Sequence, residues 1–179
     1  MTVEEVKALV RNVPDFPIKG IQFKDITTVL ENPDGLRWMR DEIVGKYRGL
    51  GITKVVGIES RGFILAPAVA IELGVGFVPI RKPNKLPAET VSVTYTKEYG
   101  DDTIQIHRDA LSPDDVVLIH DDILATGGSM DAAIRLVRKL GVKRVYVNCA
   151  IELLGLHGRE YLQGKAENVY CLFGLTVDE

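Results

Sequence analysis

Hydrophobic positions along the chain recur with two periods, one helical and one of a strand. Val3, Val6, Leu9 and Val10 share a face of a helix predicted over 3–12, which Pro14 and Pro17 then break. Asn32-Pro33-Asp34 is a helix-start signal, and Leu36, Met39, Ile43 and Tyr47 keep helical spacing through 34–49, where Gly49 and Gly51 end it. KVVGIE (54–59) predicts a strand, 62–73 a helix closed by Gly74, and 77–80 another strand. Residues 90–95 and 103–107 alternate β-branched with polar side chains, as an antiparallel ribbon would, around the polar segment 96–102. A strand at 115–120 follows, then a helix at 129–140 with Met130, Ala133, Ile134 and Val137 toward the core. A strand at 144–151, a helix near 156–163 and a strand at 168–173 complete the chain.

Apolar strands alternating with helices predict an α/β fold, a mostly parallel sheet with helices on both faces, plus the small antiparallel ribbon. Ligands of such sheets sit at the carboxyl ends of the strands. The polar segments here fall at three such ends, after 59, 81 and 120.

Composition narrows the function. The 179 residues suit one domain, and 46% hydrophobic with 26% charged residues is ordinary for a soluble protein. A net charge of −3 offers no nucleic-acid footprint, and no apolar run approaches the ~20 residues of a membrane span. The acidic, amphipathic start MTVEEVKALV is unlike a targeting peptide. Cys149 and Cys171 lie in separate strand-like runs without metal-ligand spacing. They read as buried free thiols, which fits a reducing cytoplasm.

The chemistry concentrates in VVLIHDDILATGGSM (116–130). A buried strand ends in Asp121 and Asp122; the loop Ala125-Thr126-Gly127-Gly128-Ser129 leads into a helix. Glycines let backbone N–H groups approach an anion, and the helix start adds orphan donors and the positive end of the dipole. Thr126 and Ser129 add hydroxyls, and Ser129 is placed to cap the helix. The carboxylates only accept hydrogen bonds, so they suit a sugar diol and a hydrated divalent cation rather than a phosphate. A plain strand-to-helix turn with a polar edge is the blander reading.

HDDILATGGSM resembles the phosphoribosyl-pyrophosphate (PRPP) fingerprint of the type I phosphoribosyltransferases, in its Leu-Ala-Thr-Gly-Gly form that of the adenine-using branch. FPIKGIQFKDIT, GIESRGF, PIRKPNKLPAET and TYTKEYG resemble further family motifs in the family's order, so the likeness spans most of the chain. It implies a single domain, with 1–32 as a base-binding hood and 33–179 as the core. It also implies magnesium as cofactor, a homodimer, and transfer of the phosphoribosyl group from PRPP to adenine N9, giving AMP and pyrophosphate.

Residue by residue, the resemblance assigns ribose and 5′-phosphate to Asp121, Asp122 and Ala125, Thr126, Gly127, Gly128 and Ser129. It assigns pyrophosphate to Glu59, Ser60 and Arg61 and to Arg81, Lys82 and Lys85, with Arg81 reaching across the dimer. Alone, Arg61 reads as a solvated turn arginine and 81–85 as a solvated charge cluster. Glu59 stands where many members have Asp, and the Glu59-Ser60 bond is the candidate for a cis peptide. Gln22, Phe23 and Lys24, with Ile123 on the opposite face, are assigned to adenine. Phe23 alone reads as a core aromatic, and Lys24 stands where many members have arginine, which is not an equivalent donor. Glu98 is the implied catalytic residue and Tyr99 its neighbour in a loop that closes over the site. His120, the histidine nearest these motifs, reads as structural. Three alternatives stay open: another base, a PRPP-sensing regulator that binds nucleic acid, and a dinucleotide enzyme. The last has no G-x-G-x-x-G after the first strand to support it.

Overall fold

The first helix opens on a reciprocal cap. The Thr2 hydroxyl accepts from Glu5 N–H at 3.2 Å and the Glu5 carboxylate accepts from Thr2 N–H at 2.7 Å. In a computed structural model that describes residues 1–97 and 100–177, the chain then runs α1 (Val3–Leu9), β1 (Arg11–Pro14), β2 (Gln22–Asp25), the single turn α2 (Thr27–Leu30), α3 (Pro33–Tyr47), β3 (Lys54–Ile58), α4 (Gly62–Leu73) and β4 (Gly76–Ile80). It continues through β5 (Thr90–Lys97), β6 (Gly100–His107), β7 (Val116–Leu124), α5 (Gly128–Lys139), β8 (Arg144–Leu154), the single turn α6 (Gly158–Tyr161) and β9 (Asn168–Thr176).

Five of these strands form one parallel sheet in the order β4-β3-β7-β8-β9. Its strands are apolar on both faces because both are covered. Val56, Val117, Ile119, Val145 and Val147 pack with α5 and the β5–β6 ribbon, whereas Val55, Leu118 and Ile151 pack with the α1–α4 side. Tyr47 of α3 donates its hydroxyl to Val147 O at 2.8 Å, pinning that helix to the sheet. Asn32 caps α3 as its position predicts, accepting from Asp34 and Gly35 N–H at 3.0 Å each. Cys149 and Cys171 are buried, free and paired in register across β8 and β9. No helix among the described residues is long and apolar enough to cross a membrane.

The structure corrects several expectations. The helix expected over 3–12 stops at Leu9, because Val10 turns extended and Arg11–Pro14 pairs antiparallel with Gln22–Asp25. Arg11 seals that hairpin on Asp25 at 2.6 Å, a long-range partner that periodicity cannot show. The ribbon runs further than its apolar alternation. Thr94–Thr103 and Thr96–Asp101 side-chain bonds of 2.8 and 2.9 Å carry pairing into the polar segment. The helix near 156–163 is one turn only, entered through His157 at φ 59°. Asp121 and Asp122 do not follow the strand but lie within it. β8 extends to Leu154 and keeps pairing Ile123 with Ile151 and Leu124 with Glu152.

Candidate active site

Because strand side chains alternate in direction, two adjacent acids inside β7 cannot face the same way. Asp122 is 4% exposed and forms an ion pair with Arg61, the residue at the head of α4. Asp121 accepts Asp122 N–H at 2.9 Å. Burial, followed by the neighbouring Asp122 charge, pushes the Asp121 carboxyl well above the usual range. Gly62 makes this closeness possible, since a Cβ there would lie 2.7 Å from His120 O and 3.3 Å from Asp121 Oδ1.

Two cavities meet at these acids. The first, about 310 Å³, is lined by Gln22, Phe23 and Lys24 of the N-terminal hairpin, by Ile123, and by the whole loop from Ala125 to Ser129. The second, about 400 Å³, is lined by Glu59, Ser60, Lys82, Tyr95 and Lys97. Arg61, Asp121, Asp122 and Ser129 line both.

On the hairpin, Phe23 meets Phe16 edge-on at 5.1 Å and carries the Arg61 guanidinium 5.3 Å from its ring centroid. Lys24 is 3% exposed and donates to Asn12 Oδ1 at 3.2 Å, while Asn12 donates to Gln22 Oε1 at 2.9 Å. Asn12 thus ties the Gln22 amide oxygen and the Lys24 ammonium together on the hairpin.

The loop before α5 is held from behind. Gly127, at φ 90°, starts the helix, and a Cβ on Gly158 would lie 2.2 Å from Ala125 O. Ser129 does not cap α5 as expected. Its hydroxyl bonds Tyr95 Oη at 3.2 Å, since Ser129 already lies inside the first turn.

Around the second cavity the cations are organised by carboxylates. Glu59 accepts from Lys85 Nζ at 2.6 Å, Lys82 N–H at 2.8 Å and Arg81 Nε at 3.3 Å. Burial alone would raise its pKa, but these three donors outweigh that and bring it down to about 2. The Glu59-Ser60 peptide is cis. The 81–85 cluster is thus not simply solvated. Arg81 also exchanges both backbone hydrogen bonds with Gln105 of β6, which brings the ribbon against the cluster. There Asp102 binds the Lys82 and Lys97 ammonium groups and accepts from Tyr95 Oη at 3.1 Å. Those donors overcome its burial and hold it well below the usual carboxylate range.

The structure therefore brings Gln22, Phe23, Lys24, Ile123, Arg61, Asp121, Asp122, the 125–129 loop, Glu59, Ser60 and Lys82 together, with Lys85 and Arg81 attached through Glu59. Glu98 and Tyr99 lie outside the described residues. Sequence reasoning passed over Tyr95, Asp102 and Gly158. The first two sit in an alternating ribbon where any polar residue reads as solvated, and a lone glycine carries no signal without its neighbour. His120 is fully buried and bonds Asn148 Oδ1 at 2.7 Å.

A family model for the phosphoribosyl transferase domain matches residues 25–170. The chain belongs to the phosphoribosyltransferase family. Within that family it is 58% identical over 160 residues to the adenine phosphoribosyltransferase of Phocaeicola vulgatus, covering 89% of this chain and 92% of that one. Its structure matches that of Giardia lamblia APRTase complexed with 9-deazaadenine with a TM-score of 0.94, at 46% identity over 98% of both chains. It also matches Saccharomyces cerevisiae adenine phosphoribosyltransferase, complexed with an imino-altritol bisphosphate and adenine, with a TM-score of 0.87, at 40% identity over 94% of this chain and 97% of that one. The fold is the type I phosphoribosyltransferase fold: a parallel sheet with helices on both faces, a small hairpin and a ribbon.

Proposed function

We propose that the chain is an adenine phosphoribosyltransferase, transferring the 5-phosphoribosyl group from PRPP to adenine N9 and releasing AMP and pyrophosphate. One observation carries this reading. An apolar slot with a glycine loop and a cation-lined cavity join at a single pair of carboxylates. A substrate with a sugar at its centre, phosphate and base on one side and diphosphate on the other fits that plan. The adenine phosphoribosyltransferase relatives support adenine as the base.

In this reading Phe23 and Ile123 hold the adenine faces, and the Gln22 backbone, with Lys24 beneath it, reads the edge. Asp121 and Asp122 accept from the ribose hydroxyls. Ala125, Thr126, Gly127, Gly128 and Ser129 hold the 5′-phosphate with backbone N–H groups, the Thr126 hydroxyl and the start of α5. Adenine N9 attacks the anomeric carbon as the bond to pyrophosphate breaks, through an oxocarbenium-like transition state. Negative charge then grows on the departing oxygens, where Ser60, Arg61, Lys82 and, through Glu59, Arg81 and Lys85 stabilise it. Glu98 moves the proton between the base and the site, and Tyr99 belongs to the segment that excludes water.

Magnesium fits this donor set as an ion carried by the substrate. Among the described residues no group of three or more His, Cys, Asp or Glu is placed to cage a metal, whereas Asp121 and Asp122 are among the residues lining both cavities. Mg²⁺ bound by substrate oxygens and water needs only one or two carboxylates, and it would supply neutralisation of diphosphate charge.

The N-terminal hairpin forms its own two-stranded sheet over the first cavity, which supports 1–32 as a hood on a 33–179 core. A homodimer is supported by the apolar stripe of α4, where Ile64 and Ile71 are 44% and 78% exposed. The buried free thiols suit a reducing cytoplasm. The test is a turnover panel with PRPP, magnesium and adenine, hypoxanthine, guanine, xanthine or orotate in turn. AMP from adenine alone is expected. Turnover of another base overturns the base assignment, and PRPP binding without turnover of any base points to a regulator.

A further inference from the structure

Asp102 stands behind the second cavity and holds two of the cations that line it. It pairs with Lys82 and Lys97, both of which line that cavity, and with Tyr95, whose hydroxyl bonds the Ser129 hydroxyl of the glycine loop at 3.2 Å. A carboxylate accepts but cannot donate, so the Tyr95 proton points to Asp102 and the Ser129 proton to Tyr95. The network therefore fixes the lysines at one end and directs a loop hydroxyl at the other. An ammonium holding a carboxylate has one donor and part of its charge engaged. An incoming diphosphate must share both lysines with Asp102 or displace it.

We propose that Asp102 is a positioning residue that competes with pyrophosphate for Lys82 and Lys97, setting how firmly the second cavity retains its anion. The inference rests on the phosphoribosyltransferase reading above. Its sign separates it from a purely structural role. If Asp102 only shaped the ribbon, its removal would weaken anion binding; as a competitor, its removal strengthens it.

Neighbouring Asp101 supplies the control. It lies one residue away on the same strand but bonds Thr96 Oγ1 at 2.9 Å. Asp101→Asn therefore removes the same charge from the ribbon without touching the contacts of Asp102.

The experiment is calorimetric titration of magnesium pyrophosphate into the wild-type, Asp102→Asn, Asp102→Ala and Asp101→Asn enzymes, with KM values for adenine and pyrophosphate in the two directions. Releasing two partly exposed ion pairs should tighten pyrophosphate by about three- to tenfold in both Asp102 variants. The adenine KM and the Asp101→Asn titration stay at wild type. Unchanged or weaker pyrophosphate binding in both Asp102 variants overturns the proposal, as does equal tightening in Asp101→Asn, which would mark a general charge effect. A wild-type enzyme that turns over adenine but shows no Asp102 effect sinks this inference alone. One that neither binds pyrophosphate nor turns over adenine sinks the underlying reading as well.

Discussion

Arg61 pairs with the buried carboxylate of Asp122 while its guanidinium lies 5.3 Å from the ring centroid of Phe23. One side chain thus touches the acid shared by both cavities, the aromatic slot and the wall of the second cavity. Its planar fork can hold Asp122 with one edge and offer the other to a phosphate oxygen, which a lysine ammonium cannot reproduce. Arg61→Lys should lower kcat/KM for PRPP by about 10- to 100-fold, the size of one charged hydrogen bond. The adenine KM should change much less. Initial-rate kinetics with each substrate varied check this, and equal losses for adenine and PRPP would contradict the assignment.

Gly158 is the rear wall of the 125–129 loop. A Cβ placed on it would sit 2.2 Å from Ala125 O, a backbone atom that cannot rotate away. Gly158→Ala should push the 125–129 loop toward the first cavity, cost about 1–3 kcal/mol of stability as overpacking does, and raise KM for PRPP at least about tenfold. Thermal unfolding and AMP titration check it. Wild-type AMP affinity in a folded Gly158→Ala enzyme would show that the loop accommodates the methyl group elsewhere.

Most of the sheet was legible because burial on both faces writes continuous apolar runs, as in 55–58 and 116–119. That the 125–129 loop would share a cavity with Asp121 and Asp122 was legible because glycine, hydroxyl and acid types cluster in one short segment between a strand and a helix. What stayed hidden depends on partners distant in sequence. The β1–β2 hairpin is sealed by Arg11 on Asp25, and β7 is lengthened by pairing with β8. The same limit hid Asp102, which reads as a solvated ribbon residue until Lys82 arrives from the β4 end. Reading 81–85 as a free cation cluster likewise missed Glu59, which holds three of its donors.

His120 makes stability depend on pH. Its ring is fully buried, and Asn148, whose amide N–H donates to Tyr170 O at 3.1 Å, presents Oδ1 to Nδ1; the ring therefore carries its proton on Nδ1. Burial lowers its pKa from 6.5 to about 4, with the Asn148 bond and the Asp122 charge opposing only weakly. The unfolded chain therefore binds a proton below pH 6.5 that the folded chain refuses until about pH 4. Stability from this group is complete above the unfolded value and declines as pH falls across that window, by up to about 3 kcal/mol. Denaturant unfolding from pH 7 to 4 should show a steeper decline for wild type than for His120→Gln, which can still donate to Asn148. Parallel curves would remove His120 as the source.

Glu98, like Tyr99, lies outside the described residues, so its case rests on chemistry and on its sequence neighbour Lys97, which lines the second cavity. Adenine N9 is a poor nucleophile while it bears a proton. The reaction requires either removal of that proton or protonation at N7 with loss from N9. A carboxylate supplies either route. Glu98→Ala should reduce kcat by a factor on the order of 10² to 10⁴ with PRPP binding intact. Glu98→Gln should match it, because the amide keeps the shape and loses the titration. The wild-type pH–rate profile should lose its acidic limb in both variants. A near wild-type kcat, or an unchanged profile in Glu98→Gln, would take the proton transfer away from Glu98 and leave it to solvent.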